Sequence, residues 1–426
     1  MRYEYLVIAG LFWMFHLLFI SSSVFASQQE DQSRPIETEF AGTVITFDQV
    51  KSLVLEHHPE LKAAQMDKRI AENLLLQQSF WPNPEIEVEY EDSDEKEVTV
   101  ELTQLIELGG KRGERIAKAQ FMKDSVLKGI EIMRLRTISK AKASFIEVLS
   151  AQENLKIDEE LTSISNQMYQ IATKRVKTGF APPVEELKAN VELQNAQMKL
   201  KRASAKLKAA KTNLAKMWGA SNVKFQQAAG DFYTVSPVPT FESLFAQIEN
   251  NPELARWGTE ISVRNSEFEL EKRNRIPDIE VSGGVKRFVE ANNTIYLVGL
   301  SLPLPLFDRN YGNIQAARAN LSKAKFDKDA MLLELETELK QLYQTLETVV
   351  NEIETIQAST LQSAQTAYKL IEKGYQAGEF SYLDVLDTQR NLFEIKINYV
   401  QVLSEYHKII ANIELIVGSI PSDTRK

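Results

Sequence analysis

The chain repeats itself, and that repetition limits the folds open to it. Thr46-Phe47 at the head of one amphipathic stretch returns as Thr240-Phe241, and His58-Pro59-Glu60-Leu61 returns as Asn251-Pro252-Glu253-Leu254. Pro84-Glu85-Ile86-Glu87-Val88 is answered by Pro277-Asp278-Ile279-Glu280-Val281. Later, Lys177-Thr178-Gly179-Phe180 is answered by Gln376-Ala377-Gly378-Glu379. Residues 46–236 and 237–418 therefore read as two structural repeats of one unit, and the molecule has pseudo-symmetry.

Each repeat opens with a short helix and then a longer one starting at Pro-Glu-Leu, where proline suits the first turn. A proline break follows, at Trp81-Pro82-Asn83-Pro84 and at Ile276-Pro277. Ile86, Val88 and Tyr90 then alternate with Glu85, Glu87 and Glu89, and Val98, Val100 and Leu102 with Glu97, Thr99 and Glu101. That period of two predicts strands over about 84–91 and 97–106 with one apolar and one acidic face. The second repeat predicts strands over about 277–287 and 294–304.

Each strand pair runs into a very long helix, expected from about Glu114 to Thr178 and from about Ile314 to Ala377. At 1.5 Å per residue each is close to 100 Å, longer than a compact domain needs. Leu332, Leu335, Leu339, Leu342, Leu346, Val349, Ile353 and Ile356 step by three and four, a coiled-coil seam. Ala189, Leu193, Ala196, Leu200, Ala203, Leu207, Ala210 and Leu214 form a second seam. Leu392, Ile395, Tyr399, Val402, Tyr406, Ile409 and Ile413 form a third. The fold expected is mainly α with a small β part, built on long antiparallel coiled-coil helices.

Arg2, the apolar run from Leu6 to Ile20, and Val24-Phe25-Ala26 read as an export signal over 1–26, with an extension over 27–45. Residues 419–426 read as a tail. There is no cysteine, which removes disulfides, thiolate metal sites, cysteine catalysis and an acylated cysteine anchor. The formal charge of −9 argues against nucleic acid as a partner. The cations Lys199, Lys201, Arg202, Lys206, Lys208 and Lys211 interleave with the Ala/Leu seam and read as a solvated helix face.

Beyond the export signal no stretch carries the eighteen or so apolar residues that a membrane helix needs, so insertion must use strands in a closed barrel. Four strands cannot close one, and open edges in lipid leave amides unpaired. Three chains pooling their strands give twelve, within the range of outer-membrane barrels.

Leu105-Ile106-Glu107-Leu108-Gly109-Gly110-Lys111-Arg112-Gly113 between a strand and a long helix resembles the TolC-type outer-membrane efflux proteins, in particular their heavy-metal (CzcC- and CusC-like) branch. Pro303-Leu304-Pro305-Leu306-Phe307-Asp308-Arg309-Asn310 is similar to the same junction in the family's second half, and the likeness spans about Thr46 to Gly418. It implies a homotrimer with a twelve-stranded barrel in the outer-membrane lipid and a trimeric α-barrel in the periplasm. It further implies a periplasmic adaptor protein and an inner-membrane proton-driven efflux pump as partners, with heavy-metal cations as cargo. The conduit of a multidrug pump, and a periplasmic coiled-coil scaffold or adaptor without a pore, are the other readings.

The candidate sites are structural rather than catalytic. Neither a nucleophile and base at workable spacing nor a cofactor motif is present; His57 and His58 sit together at the end of a short helix and His407 sits alone in a seam helix, so no metal site is expected. Gly109 to Gly113 lacks the spacing and hydroxyl of a phosphate loop and reads as a strand-to-helix corner. If Ile86, Val88 and Tyr90 face lipid, Glu85, Glu87, Glu89 and Glu101 face a lumen, where threefold symmetry turns each into a ring. The helical turns at Gly179-Phe180 and Gly378-Glu379 are expected to dock the adaptor. By resemblance, Tyr375, Asp384 and Asp387 belong to a periplasmic gate, with Glu185 the counterpart of Asp384. Phe380 stands where some family members carry a gate arginine. The closed state is therefore expected to rest on packing of Tyr375 and Phe380, without a salt bridge. Asp384 and Asp387 also fit the acidic first turn of a helix.

Overall fold

A computed structural model describes residues 44–92 and 95–418. The expected export signal, nearly all of the extension over 27–45 and the tail over 419–426 lie outside the described residues.

The first repeat runs β1 (Val44–Ile45), α1 (Phe47–His57), α2 (Pro59–Ser79), β2 (Glu85–Asp92), β3 (Lys96–Ile106), α3 (Lys111–Lys177) and α4 (Pro183–Lys216), followed by β4 (Gln227–Ala228). The second runs α5 (Phe241–Phe245), a 3-10 turn, α6 (Pro252–Arg273), β5 (Ile279–Phe288), β6 (Asn293–Ser301), α7 (Tyr311–Thr355), a π turn (Ile356–Thr360), α8 (Leu361–Ala377) and α9 (Tyr382–Ile416). The short β1 and β4 pair in parallel.

Local chemistry sets the boundaries. Asn251 and His58 cap the helices that follow them, accepting from the amides of Glu253 at 2.7 Å and Glu60 at 3.2 Å. Gly110 and Asn310, at φ 73° and 59°, occupy the same left-handed position at the starts of α3 and α7. The 67 residues of α3 give a rod of about 100 Å. At both far ends the turn is a Schellman motif around a left-handed glycine. Phe180 N donates to Arg175 O at 2.9 Å past Gly179, and Glu379 N donates to Gly374 O at 2.8 Å past Gly378.

The second long helix departs from the sequence expectation. It is not one α-helix from Ile314 to Ala377: the π turn at Ile356–Thr360 interrupts it. The seam explains why. Leu335, Leu339, Leu346, Val349, Ile353 and Ile356 are buried at steps of three, four or seven, but the next large apolar residue, Leu361, follows after five. One surplus residue between packed positions is what a π turn absorbs. Leu332, at the head of the seam, is exposed rather than buried.

The four long strands form one antiparallel sheet of order β2-β3-β5-β6, so the β3–β5 contact joins the two repeats. Cross-strand rows sort the side chains by face. The rows Ile86-Leu102-Gly283-Val298 and Val88-Val100-Val285-Tyr296 lie on one face, and Glu85-Thr103-Ser282-Gly299 and Glu87-Glu101-Gly284-Leu297 on the other. Tyr296 is 84% and Val298 90% exposed, so the apolar face has no protein cover in a single chain. Among the described residues β2 and β6 are unpaired on their outer edges.

Two main cores hold the helices, with a small third cluster of Leu161, Ala196 and Phe393. The larger gathers Val50, Phe145, Leu214, Trp218, Leu339, Val402 and Tyr406 among α1, α3, α4, α7 and α9. The smaller lies toward the Gly179 and Gly378 turns and contains Met168, Ala189, Tyr368, Tyr375, Tyr382 and Val385. Leu361 packs against both. No described helix is long and apolar enough to cross a membrane.

Candidate functional site

The glycine-rich corner is a joint. Gly109 and Gly110 both take positive φ, and a Cβ on Gly109 would press on Ile276 at 2.9 Å. Lys111 is nearly buried, its Nζ on Asp278 Oδ1 at 2.8 Å, and the same oxygen accepts from Leu108 N at 2.9 Å. Arg112 donates to Ser79 O at 3.0 Å and lies 5.0 Å over the Trp81 ring. Arg273 donates to Gly109 O at 3.0 Å. The corner's cations thus fasten α3 to the end of α2 and the start of β5. Lys111 is committed to Asp278 and is not free to meet a phosphate.

Two of the histidines do structural work. His58 caps α2, and His407 Nε2 meets Phe232 O at 2.9 Å with its ring between Phe232 and Tyr406. Burial lowers the His407 pKa from its ordinary value. Among the described residues no group of three or more His, Cys, Asp or Glu side chains could hold a metal.

Along the sheet Glu85, Glu87, Glu89 and Glu101 share one face, with Glu87 directly opposite Glu101. Like charges so placed repel, and the arrangement is tolerable where water or cations separate them. Toward the strand turns the same face continues through the rows Glu89-Thr99-Lys286-Ile295 and Glu91-Glu97-Phe288-Asn293.

At the opposite end of the molecule the hairpin turns come together around Tyr375, which has 0% exposure. Its hydroxyl donates to Glu185 Oε1 at 2.5 Å, from the start of α4. The Arg175 guanidinium lies 4.5 Å over the Tyr375 ring, donates to the Tyr375 carbonyl, and stands 3.5 Å from Glu185 Oε1. Burial, and then the Glu185 carboxylate, push the Tyr375 phenol well above its usual value, so it remains a donor.

The expectation that no salt bridge holds this point is corrected within the chain. The cation comes from Arg175, at the end of α3, and not from the place of Phe380. Four residues before Gly179 stands Arg175; four before Gly378 stands Gly374. With no side chain at Gly374, the Phe380 ring folds onto it, and a Cβ there would occupy the ring's space. The ring neighbour of Tyr375 is Tyr382, at 5.9 Å. The two tips therefore differ: Phe180 is 80% exposed and Phe380 40%. Glu379 is exposed beside it.

Asp384 closes a capping box, taking hydrogen bonds from Ser381 N at 2.9 Å and Ser381 Oγ at 2.7 Å. Those bonds lower its pKa. Asp387 is exposed and lines a crevice between α4 and α9 with Leu187, Lys188, Val191, Leu383 and Arg390. Sequence reasoning missed Arg175, Tyr382 and the Arg390–Glu192 pair that bridges the hairpins. Only the Arg175-for-Gly374 asymmetry between repeats signalled the first of these.

Known proteins share this architecture. A family model described as outer membrane efflux protein matches residues 50–220 and 246–419. The cobalt-zinc-cadmium resistance protein CzcC of Cupriavidus metallidurans is 32% identical over 399 residues, covering 92% of this chain and 96% of that protein. The nickel and cobalt resistance protein CnrC of the same organism is 29% identical over 318 residues, covering 70% of this chain and 73% of that protein. The solved structure of CusC superposes with a TM-score of 0.76 at 16% identity, covering 88% of this chain and 92% of that chain, a likeness of fold. With its family model matched in both repeats and a relative aligned over nearly its full length, the chain belongs to the outer membrane efflux protein family.

Proposed function

We propose that this outer-membrane efflux channel carries divalent heavy-metal cations, as the outer segment of a pump completed by a periplasmic adaptor and an inner-membrane proton-driven transporter. The observation that carries the cargo reading is the full-length likeness to a cobalt-zinc-cadmium resistance protein. The acidic sheet face supports it, since rings of carboxylates favour cations.

In this reading three chains close a twelve-stranded barrel, residues 1–26 direct export, and Glu85, Glu87, Glu89 and Glu101 line the lumen. The long helices build the periplasmic tunnel. Its inner mouth is held by Tyr375, Glu185, Arg175 and Phe380, with Asp384 and Asp387 as a cation-attracting ring. The adaptor docks on Gly179, Phe180, Gly378 and Glu379. Cells lacking the chain are expected to become sensitive to divalent metals and not to organic toxins; the reverse pattern would assign it to a multidrug pump. Phe180→Asp should abolish metal export in cells while leaving the conductance of the purified channel unchanged. Loss of both would remove the docking role.

A further inference from the structure

The polar face of the sheet is not uniformly acidic. Among the described strand residues on that face one is basic, Lys286 of β5, two residues before the end of the strand pairing at the turns. Lys96 and Arg287 lie on the apolar face. The Lys286 ammonium pairs with the Glu97 carboxylate of β3 and lies 5.7 Å from the Phe288 ring centroid, so it is held from two sides. Glu91 stands directly across β2–β3 from Glu97, and Glu89 shares the Lys286 row through Thr99. Toward the helices Glu85, Glu87, Glu101 and Glu280 have no such companion.

We propose that Lys286 is a tethered counter-ion that stops the outer mouth of the barrel from retaining the cations it releases. This rests on the reading of the acidic face as lumen. Three Glu89-Glu91-Glu97 clusters meet at one level of a threefold barrel. Left uncompensated, they would concentrate and hold divalent ions at the exit. Conduction requires that the last site release as readily as it binds. An ammonium is a compact point charge on a flexible stem, and it occupies the cluster in place of a passing ion. The lower levels, without lysine, draw cations in; the exit level lets them go.

Full-length channels in planar bilayers test this, with Zn²⁺ alone added on the side of the strand turns. Lys286→Gln should tighten Zn²⁺ block by on the order of fivefold, since it leaves one more uncompensated charge per chain at close range. Lys286→Arg should keep the parent value. Glu97→Gln, which frees the lysine, should weaken block. The double variant Glu97→Gln, Lys286→Gln should return toward the parent, as a merely stapling pair would not. Should Lys286→Gln fail to assemble, Glu97→Gln and the double variant still decide the matter. Unchanged block in these variants, while Glu87→Gln with Glu101→Gln shifts the reversal potential, would overturn the counter-ion role and leave the lumen standing. No change in any of them would overturn the lumen reading and this inference with it.

Discussion

At the scale of single residues, Tyr375 carries the argument about the inner mouth. A buried phenol without a partner costs about 1–3 kcal/mol, and here it is satisfied by Glu185 from the other repeat. Glu185 in turn faces Arg175, so removing any one member leaves charge or hydroxyl without its partner. Tyr375→Phe should lose about 1.5–3 kcal/mol of tip stability, the value of a hydrogen bond to a charged group, and should raise the resting conductance. Glu185→Gln should do the same, and the pair should be non-additive in a double-mutant cycle. Because the folded-state pKa of Tyr375 is raised, its contribution is fully present below about pH 10 and is lost as pH rises beyond that. Tyr233, Tyr368 and Tyr382 are also raised by burial, so a tyrosinate absorbance titration should show a late-ionising group of phenols whose amplitude falls by one tyrosine in Tyr375→Phe. A parent and variant with identical conductance and identical titration would sink the assignment.

At the scale of elements, what the sequence revealed follows the range of the interactions concerned. Seams and alternating strands are periodic, so Leu339, Val402 and Val88 declared their faces without knowledge of any neighbour. The π turn was partly legible, in the five-residue step from Ile356 to Leu361, a local break in a local rhythm. Arg175 on Tyr375 was not, because that contact spans two hairpins and leaves no mark on either period. Asp384 shows the limit from the other side: its carboxylate serves the start of α9, a local role that the acidic first turn already suggested. The cap and the cation ring make separable predictions. Asp384→Asn keeps an oxygen acceptor for Ser381 and should leave the melting temperature close to the parent's, whereas Asp384→Ala removes that acceptor and should lower it. Asp384→Asn combined with Asp387→Asn should weaken block by multivalent cations applied from the helical side. Unchanged block would confine Asp384 to capping.

At the scale of the whole molecule, a single chain is incomplete. Among the described residues its sheet has one apolar face without protein cover and two open edges, and no lipid bilayer can satisfy the amides along β2 and β6. Counting through the antiparallel order, β2 and β6 run in opposite directions. Placing β6 of one copy beside β2 of the next therefore continues the alternation around a closed ring without reversing any strand. The same closure would set the polar rows inward and the Tyr296 and Val298 face outward, matching burial on one side with lipid on the other. The absence of cysteine makes this testable without background. Cysteines introduced singly at Glu85, Glu87 or Glu89 of β2, each combined with one at Ile295, Leu297 or Gly299 of β6, should include at least one register that oxidises in membranes to covalent dimers and trimers. Cross-links confined within one chain would mean that the sheet closes on itself, and a shared barrel would have to be abandoned.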